Sequence, residues 1–409
     1  MVEIDRVQQH LLSLGFKPDV VNPFVKRVAT WVDKSGEEWV VQRFKALKLY
    51  LLAQLEEREI SIPEGFASFH TRNRVCFKDP MIRMVMDLPN EGASLLRKEG
   101  FVRLYQVFKL NTMSAKQKAG YKESITSPYT GTHDALQEGI NTVTAGIRDI
   151  IRDCSISRED VNMANFTPLR LWSKSDKRSP VFKVESDTNG IKTVKVRTMS
   201  RMSVESHNFV DVMSSDRLLQ SLWRTYPFDV SRCMVGGGES IMIQGASPKD
   251  MVDVPAGRIS NIQEGGCKLR TVANPFLALQ ALGEPLKRKL ETLTRDFSEV
   301  STFDQSSSHE TIAKWLKEGR EIASYDLTAF TDRFPYALQR VVLTALKDEG
   351  YISAFDYDVM ELVVSKEWVS QDHGPMKWEV GQPMGFGPSF HLATLTHLAL
   401  MRGMKCRMC

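Results

Sequence analysis

A chain of 409 residues with 42% hydrophobic and 25% charged positions can bury a sizeable core and is expected to divide into two or three domains. No window approaches about eighteen consecutive apolar residues, and the opening MVEIDRVQQH carries Glu3 and Asp5 where a presequence is basic or apolar, so neither a membrane span nor a cleaved export signal is expected. The 54 Lys and Arg against 50 Asp and Glu leave a net charge of +4, too small to argue a nucleic-acid partner by itself, and six scattered cysteines (Cys76, Cys154, Cys233, Cys267, Cys406, Cys409) fit a reducing compartment rather than a disulfide framework.

Between Glu37 and Ile60, the residues Val40, Phe44, Leu47 and Leu51 recur at helical spacing, which predicts an amphipathic helix in a helical N-terminal region, 1–110. Arg43, Lys45 and Lys48 fall off that stripe and read as a solvated face. From Asn111 to about Thr132 periodicity is lost and Ser, Thr, Gly and Lys accumulate, as in a linker, so a boundary is placed there. The stretch from Val181 to Arg197 sets β-branched residues on both sides of Asn189-Gly190, which predicts a β-hairpin, and 111–200 reads as a linker and hairpin region. Its Lys183, Lys192, Lys195 and Arg197 either solubilise the hairpin or make it a finger against a phosphate backbone. Gly236-Gly237-Gly238 lacks the Gly-Lys-Ser/Thr continuation of a phosphate-binding loop and reads as a flexible turn.

Candidate chemistry gathers in the last third. Lys268 and Arg270 alternate along an extended segment and so share one face, where two fixed cations suit a triphosphate. Glu321–Tyr325 predicts a short buried strand running into Asp326; Asp332 follows at the turn into a helix over Leu338, Val341, Val342 and Ala345, which Gly350 stops. Taken alone, these two carboxylates read as a turn cap and a helix cap. Gly381–Ser389 is a loop with glycines at 381, 385 and 387, and Phe390–Met401 is apolar on nearly every face, a buried helix with Pro388 and Ser389 at its start. Within it, His391 and His397 read as satisfied core groups rather than metal ligands. Cys406 and Cys409 have the spacing of half a zinc site without a second pair nearby, and read as chance or a partner contact.

In this order GGCKLRTVANP (Gly265–Pro275), YDLTAFTDRFP (Tyr325–Pro335) and VGQPMGFGPSF (Val380–Phe390) resemble motifs F, A and B of viral RNA-dependent RNA polymerases of the mitovirus and narnavirus group. Thr302-Phe303-Asp304-Gln305 is similar to the TFDQ found between motifs F and A, and the resemblance runs from about Arg258 to Met401. It implies an α+β right-hand polymerase, with fingers and motif F in 201–320 and a partial palm with motifs A and B in 321–409. It further implies Asp326 as catalytic metal ligand for Mg²⁺, with Mn²⁺ as a substitute, in two-metal nucleotidyl transfer. Asp332, Ser389 and Thr394 would read the ribose 2′-hydroxyl, and Lys268 and Arg270 would neutralise the triphosphate. Gly381, Gln382, Pro383, Met384 and Gly385 would form the motif B loop, with Gly385 giving it freedom to shift as the template moves. Arg333 would reach phosphate or close a salt bridge at the helix start. RNA template, nascent RNA and ribonucleoside triphosphates are the partners implied.

The chain departs from the family pattern at one point. Motif C, a Gly-Asp-Asp turn, is expected some tens of residues beyond motif B, yet 20 residues follow Ser389 and no Asp-Asp dipeptide occurs. The palm and thumb are then incomplete: either the chain is a fragment, or it is the first half of a polymerase divided over two proteins, as in fungal narna-like viruses with split polymerase genes. The start at Met1 favours the second, with another chain supplying motif C. The alternative is a non-catalytic RNA-binding replication subunit. Host cytoplasm, or else the mitochondrion, is the expected location.

Overall fold

The computed structural model describes residues 2–58, 61–71, 75–163, 181–186, 192–197, 209–226 and 251–406. The chain divides into two compact units, one of residues 1–118 with 261–270 and one of residues 119–260 with 271–409.

The first unit holds α1 (Val2–Ser13), α2 (Pro18–Leu55), a two-stranded sheet of β1 (Ser68–His70) and β2 (Val75–Phe77), α3 (Pro80–Met86), α4 (Gly92–Val102) and a 3₁₀ turn at Arg103–Val107. Pro18 starts α2, where its missing N–H has no partner to lose, and Gly36 interrupts it at a φ of 80°. Val40, Phe44, Leu47 and Leu51 are buried as their spacing predicts. Phe44, Phe24 and Phe101 pack with ring centroids 5.5 to 6.4 Å apart; such pairs add about 0.5–1.5 kcal/mol each beyond burial. The expected solvated face is only partly so. Arg43 lies over the Trp39 ring at 4.6 Å and Lys45 over Tyr105 at 5.7 Å, since long basic side chains can lay charge on a ring face.

α5 (Ala115–Thr126) occupies the stretch expected to be a linker, and the division between the units falls inside it, after Lys118. Its helix lacks a strong apolar stripe, and Tyr121 and Ile125 alone are buried, which is why no periodicity announces it.

The second unit contains α6 (His133–Asp153), α7 (Arg158–Asn162), β3 (Val181–Ser186), β4 (Lys192–Arg197), α8 (Phe209–Ser215) and α9 (Arg217–Thr225). It continues with β5 (Gly257–Glu264), β6 (Lys268–Pro275), α10 (Leu277–Arg295), α11 (Gln305–Lys317), α12 (Phe330–Arg333), α13 (Tyr336–Asp348), α14 (Ala354–Ser365), β7 (Trp368–Ser370), β8 (Gly374–Met376) and α15 (Ser389–Gly403). The tips of β5 and β6 belong to the first unit. β3 and β4 pair antiparallel from Val181↔Arg197 to Ser186↔Lys192, the expected hairpin; Asn189-Gly190, like Gly236–Gly238, lies outside the described residues. A four-stranded sheet has the order β6-β5-β7-β8, with β5 parallel and β8 antiparallel to β7. The result is a helix-rich α+β architecture.

No strand forms at Glu321–Tyr325. Residues 321–327 have no regular structure, and Tyr325 is 84% exposed, because no described strand offers this segment a ladder partner. α13 does form as expected, and Gly350 ends it at a φ of 77°. α15 is the core helix of this unit: its Leu392, Leu395, Leu398 and Ala399 are buried where it packs on α6, α10 and α13. A Cβ built on Gly146 of α6 would lie 1.8 Å from the Ala399 carbonyl oxygen, so only glycine permits this crossing. Gly146→Val is therefore expected to destabilise the chain by about 3 kcal/mol, the upper range for overpacking, read as a lowered urea midpoint; an unchanged midpoint would contradict this packing.

Candidate functional site

The sequence from Ala329 to Tyr336 makes a tight turn onto which the start of the Gly381–Pro388 loop is hydrogen-bonded. Ala329 has a positive φ of 50°, which turns the exposed 321–328 segment into the single turn α12. Gly381 N donates to the Asp332 carbonyl at 3.0 Å, Gln382 N to the Thr331 carbonyl at 3.0 Å, and Tyr336 N to the Val380 carbonyl at 2.8 Å. A Cβ at Gly381 would stand 2.2 Å from the Thr331 carbonyl oxygen, so glycine is what lets the two backbones meet.

Asp332 is not a helix cap, since α13 starts behind Pro335 without a side-chain cap. Its Oδ1 instead accepts from Trp378 Nε1 at 2.8 Å and its Oδ2 from Ser124 Oγ at 2.6 Å. Neither donor carries a sequence signal for this role: Ser124 lies 208 positions from its partner and Trp378 lies 46 away. Arg333 forms no salt bridge among the described residues; it donates to the carbonyls of Ser127 and Pro128 at 2.6 and 2.8 Å.

Gln382 couples this turn to α15. It is fully buried, and its Nε2 donates to the Ser389 carbonyl at 2.7 Å. Gln382 Oε1 and Ser389 Oγ, both buried, find no hydrogen-bond partner among the described residues; each such group costs about 1–3 kcal/mol. Pro383 is buried, Met384 accepts from Ala273 N at 2.7 Å, and Gly385 is exposed at a φ of 123°. The loop thus rests on the base of β6. Thr394 Oγ1 donates back to the Phe390 carbonyl one helical turn earlier, at 2.9 Å.

Asp326 lies exposed in the irregular segment, and among the described residues no group of three or more His, Cys, Asp or Glu gathers to hold a metal ion. In the first unit, Lys268 and Arg270 are both exposed on β6 with Leu269 half-buried between them, the alternation of one strand face. Arg270 Nε meets Glu264 Oε1 at 2.7 Å, an exposed pair of the kind worth about 0–1 kcal/mol, so its cation remains exchangeable. The hairpin tip is held within that unit by Gly266 N donating to the Phe108 carbonyl at 2.8 Å and Gln117 Nε2 to the Cys267 carbonyl at 2.9 Å.

His391 is buried but not satisfied, contrary to expectation: its Nδ1 has no hydrogen-bond partner among the described residues, and its ring stacks on Phe303 at 6.0 Å and edges onto Phe390 at 5.3 Å. Phe303 is also capped by Arg295 at 3.8 Å, and the following Asp304 caps α11, so the TFDQ segment serves packing and helix initiation. Cys406 is exposed; Cys409 lies outside the described residues.

The arrangement of turn, glycine loop and buried helix falls within residues 182–402, the stretch matched by the family model described as Mitovirus RNA-dependent RNA polymerase. This chain belongs to the mitovirus RNA-dependent RNA polymerase family. Among individual proteins, this polymerase-family chain is similar to the RNA-directed RNA polymerase of Cryphonectria parasitica mitovirus 1 (strain American chestnut tree/New Jersey/NB631). The two are 26% identical over 209 residues, which is 51% of this chain and 23% of the relative, so the match spans less than a quarter of that protein's length. No solved structure matches the chain. Every candidate site residue, from Lys268 to Thr394, lies inside the matched stretch.

Burial pushes both His391 and His397 below the ordinary histidine value, so the folded chain holds them neutral at pH 7. The unfolded chain takes up these protons near pH 6.5 and the folded chain does not, so stability from this source is complete above that pH and falls as pH drops below it. Thermal melts between pH 7.5 and 5.5 are expected to show this decline, and His391→Gln combined with His397→Gln to flatten it; an equal decline in the double variant would remove the histidines as its source.

Proposed function

We propose that this chain is part of an RNA-directed RNA polymerase, supplying fingers and a portion of the palm for template-directed synthesis of viral RNA. The observation that supports this most directly is the hydrogen-bonded junction of the Ala329–Tyr336 turn with Val380–Gln382, which brings Asp332, Gln382 and Ser389 into one network inside the family match. On this reading Asp332 and Ser389 select a ribose by its 2′-hydroxyl, which both donates and accepts. Ser389 Oγ has no partner among the described residues, and a shift of the loop about Gly385 would bring it to the sugar, with Thr394 farther along the same helix. Lys268 and Arg270 draw the triphosphate.

A divalent ion such as Mg²⁺, or Mn²⁺ in its place, supplies charge neutralisation to nucleotidyl transfer. The described residues do not by themselves form its site, since Asp326 stands as one exposed carboxylate outside any cluster of metal donors. The reading therefore requires donors from elsewhere: a Gly-Asp-Asp motif on a second chain or on a C-terminal continuation. The irregular state of residues 321–327 favours the same view, because a strand before Asp326 needs neighbours to pair with.

Primer extension with each chain alone and both together tests the proposal. RNA synthesis is expected only when a Gly-Asp-Asp-bearing chain is present, and Asp326→Ala is expected to lower it by about a thousandfold, as for a lost charge-stabilising group. Robust synthesis by this chain alone would overturn the divided palm. Extension by the pair that ignores Asp326→Ala would leave a non-catalytic RNA-binding subunit. Asp332→Ala and Ser389→Ala should each narrow the ribonucleotide-to-deoxyribonucleotide efficiency ratio, while template binding, measured by filter retention, stays within about twofold.

A further inference from the structure

Outside the polymerase motifs, one element makes repeated contact with the Asp332 turn. The C-terminal half of α5 and the residues after it hold that turn through side-chain and main-chain hydrogen bonds. Ser124 Oγ donates to Asp332 Oδ2 at 2.6 Å, and Arg333 donates to the carbonyls of Ser127 and Pro128. Glu379 N donates to the Ile125 carbonyl at 3.1 Å, and the Tyr121 hydroxyl lies 2.8 Å from Ser370 Oγ. The strap is thus fixed both to the turn and to the 370–379 stretch, which contributes Trp378, itself buried with its ring edge-on to Trp368 at 5.6 Å.

We infer that Ser124 and Trp378 are positioning residues that set the plane of the Asp332 carboxylate and thereby determine sugar selectivity. The inference rests on the proposed sugar-reading role of Asp332. An ionised carboxylate offers about four acceptor positions. Ser124 and Trp378 take one on each oxygen, which removes rotation about χ2 and leaves the remaining lone pairs pointing in fixed directions. A carboxylate that tells a hydroxyl from a hydrogen must be held this way, because a freely rotating acceptor finds water as easily as the 2′-hydroxyl and discriminates little. Both donors are neutral, so the negative charge that receives the hydroxyl is oriented without being neutralised by a salt bridge.

The test is single-nucleotide extension of primed RNA by the complete RNA-extending assembly, with ATP and 2′-deoxyATP, for Ser124→Ala, Ser124→Thr, Trp378→Phe, Asp332→Ala and the Ser124→Ala/Asp332→Ala double variant. Circular dichroism melts of each variant separate misfolding from selectivity. Ser124→Ala and Trp378→Phe are expected to lower the ribo-to-deoxy ratio of kcat/KM about three- to tenfold, mainly through KM for ATP, and Ser124→Thr to restore it by returning the hydroxyl. On the Asp332→Ala background, Ser124→Ala should change the ratio no further, the signature of two residues acting through one group. A ratio that falls in Asp332→Ala but stays put in Ser124→Ala and Trp378→Phe, or equal losses with both nucleotides in those two, would overturn the positioning role and leave the sugar-reading role standing. A ratio unmoved by Asp332→Ala would overturn the sugar-reading role itself, and this inference with it.

Discussion

Two main-chain hydrogen bonds, from Gly381 N to the Asp332 carbonyl and from Gln382 N to the Thr331 carbonyl, join segments some fifty positions apart into one structure. They depend on the absent side chain of Gly381, since any Cβ there would overlap the Thr331 carbonyl oxygen. Everything else near the turn follows from that closeness. Gln382 becomes buried and must spend its amide inside the protein, and the acceptor within reach is the Ser389 carbonyl at the start of α15. The Ala329–Tyr336 turn, the start of the loop and the first residue of α15 are therefore tied into one hydrogen-bonded chain.

The carboxylates of Asp326 and Asp332 are held very differently. Asp332 is fixed by a hydroxyl and an indole N–H and by the backbone of its own turn, whereas Asp326 stands in exposed, irregular chain. This contrast follows from what each segment has to pair with. Residues 331–336 find amides and carbonyls at 380–382, while residues 321–327 find no strand beside them among the described residues. A proposed role in ion binding for Asp326 accordingly calls on groups outside this chain's described fold, and a proposed role in sugar reading for Asp332 calls on groups already in place.

Two buried ion pairs tie the second unit together. Lys366 and Asp216 meet at 2.7 Å with almost no exposure, and Asp216 also accepts from the amides of Leu219 and Val254. Lys289 and Asp356 meet at 2.6 Å at the start of α14. Breaking such a pair strands an unpaired charge at about 3–5 kcal/mol, whereas the exposed Arg270–Glu264 pair opens at little cost. The proposed phosphate-binding role of Lys268 and Arg270 therefore calls on exposed cations of β6 and leaves these buried pairs intact.

What the sequence determined by itself was the local and periodic part. The stripe of Val40, Phe44, Leu47 and Leu51, the apolar α15, the stop at Gly350 and the pairing about Asn189-Gly190 follow from side-chain spacing and turn chemistry, which act over a few residues. The motif strings named the family for the same reason, since each is a short contiguous run. Tertiary structure decided the rest. α5 lacks an apolar stripe and becomes a helix because Tyr121 and Ile125 have a surface to enter; the segment 321–325 stays out of any sheet because ladder bonds need a second strand. Which groups hold Asp332 was beyond any local pattern, because a hydrogen bond between residues 208 positions apart is written in the path of the chain and not in the neighbours of either residue.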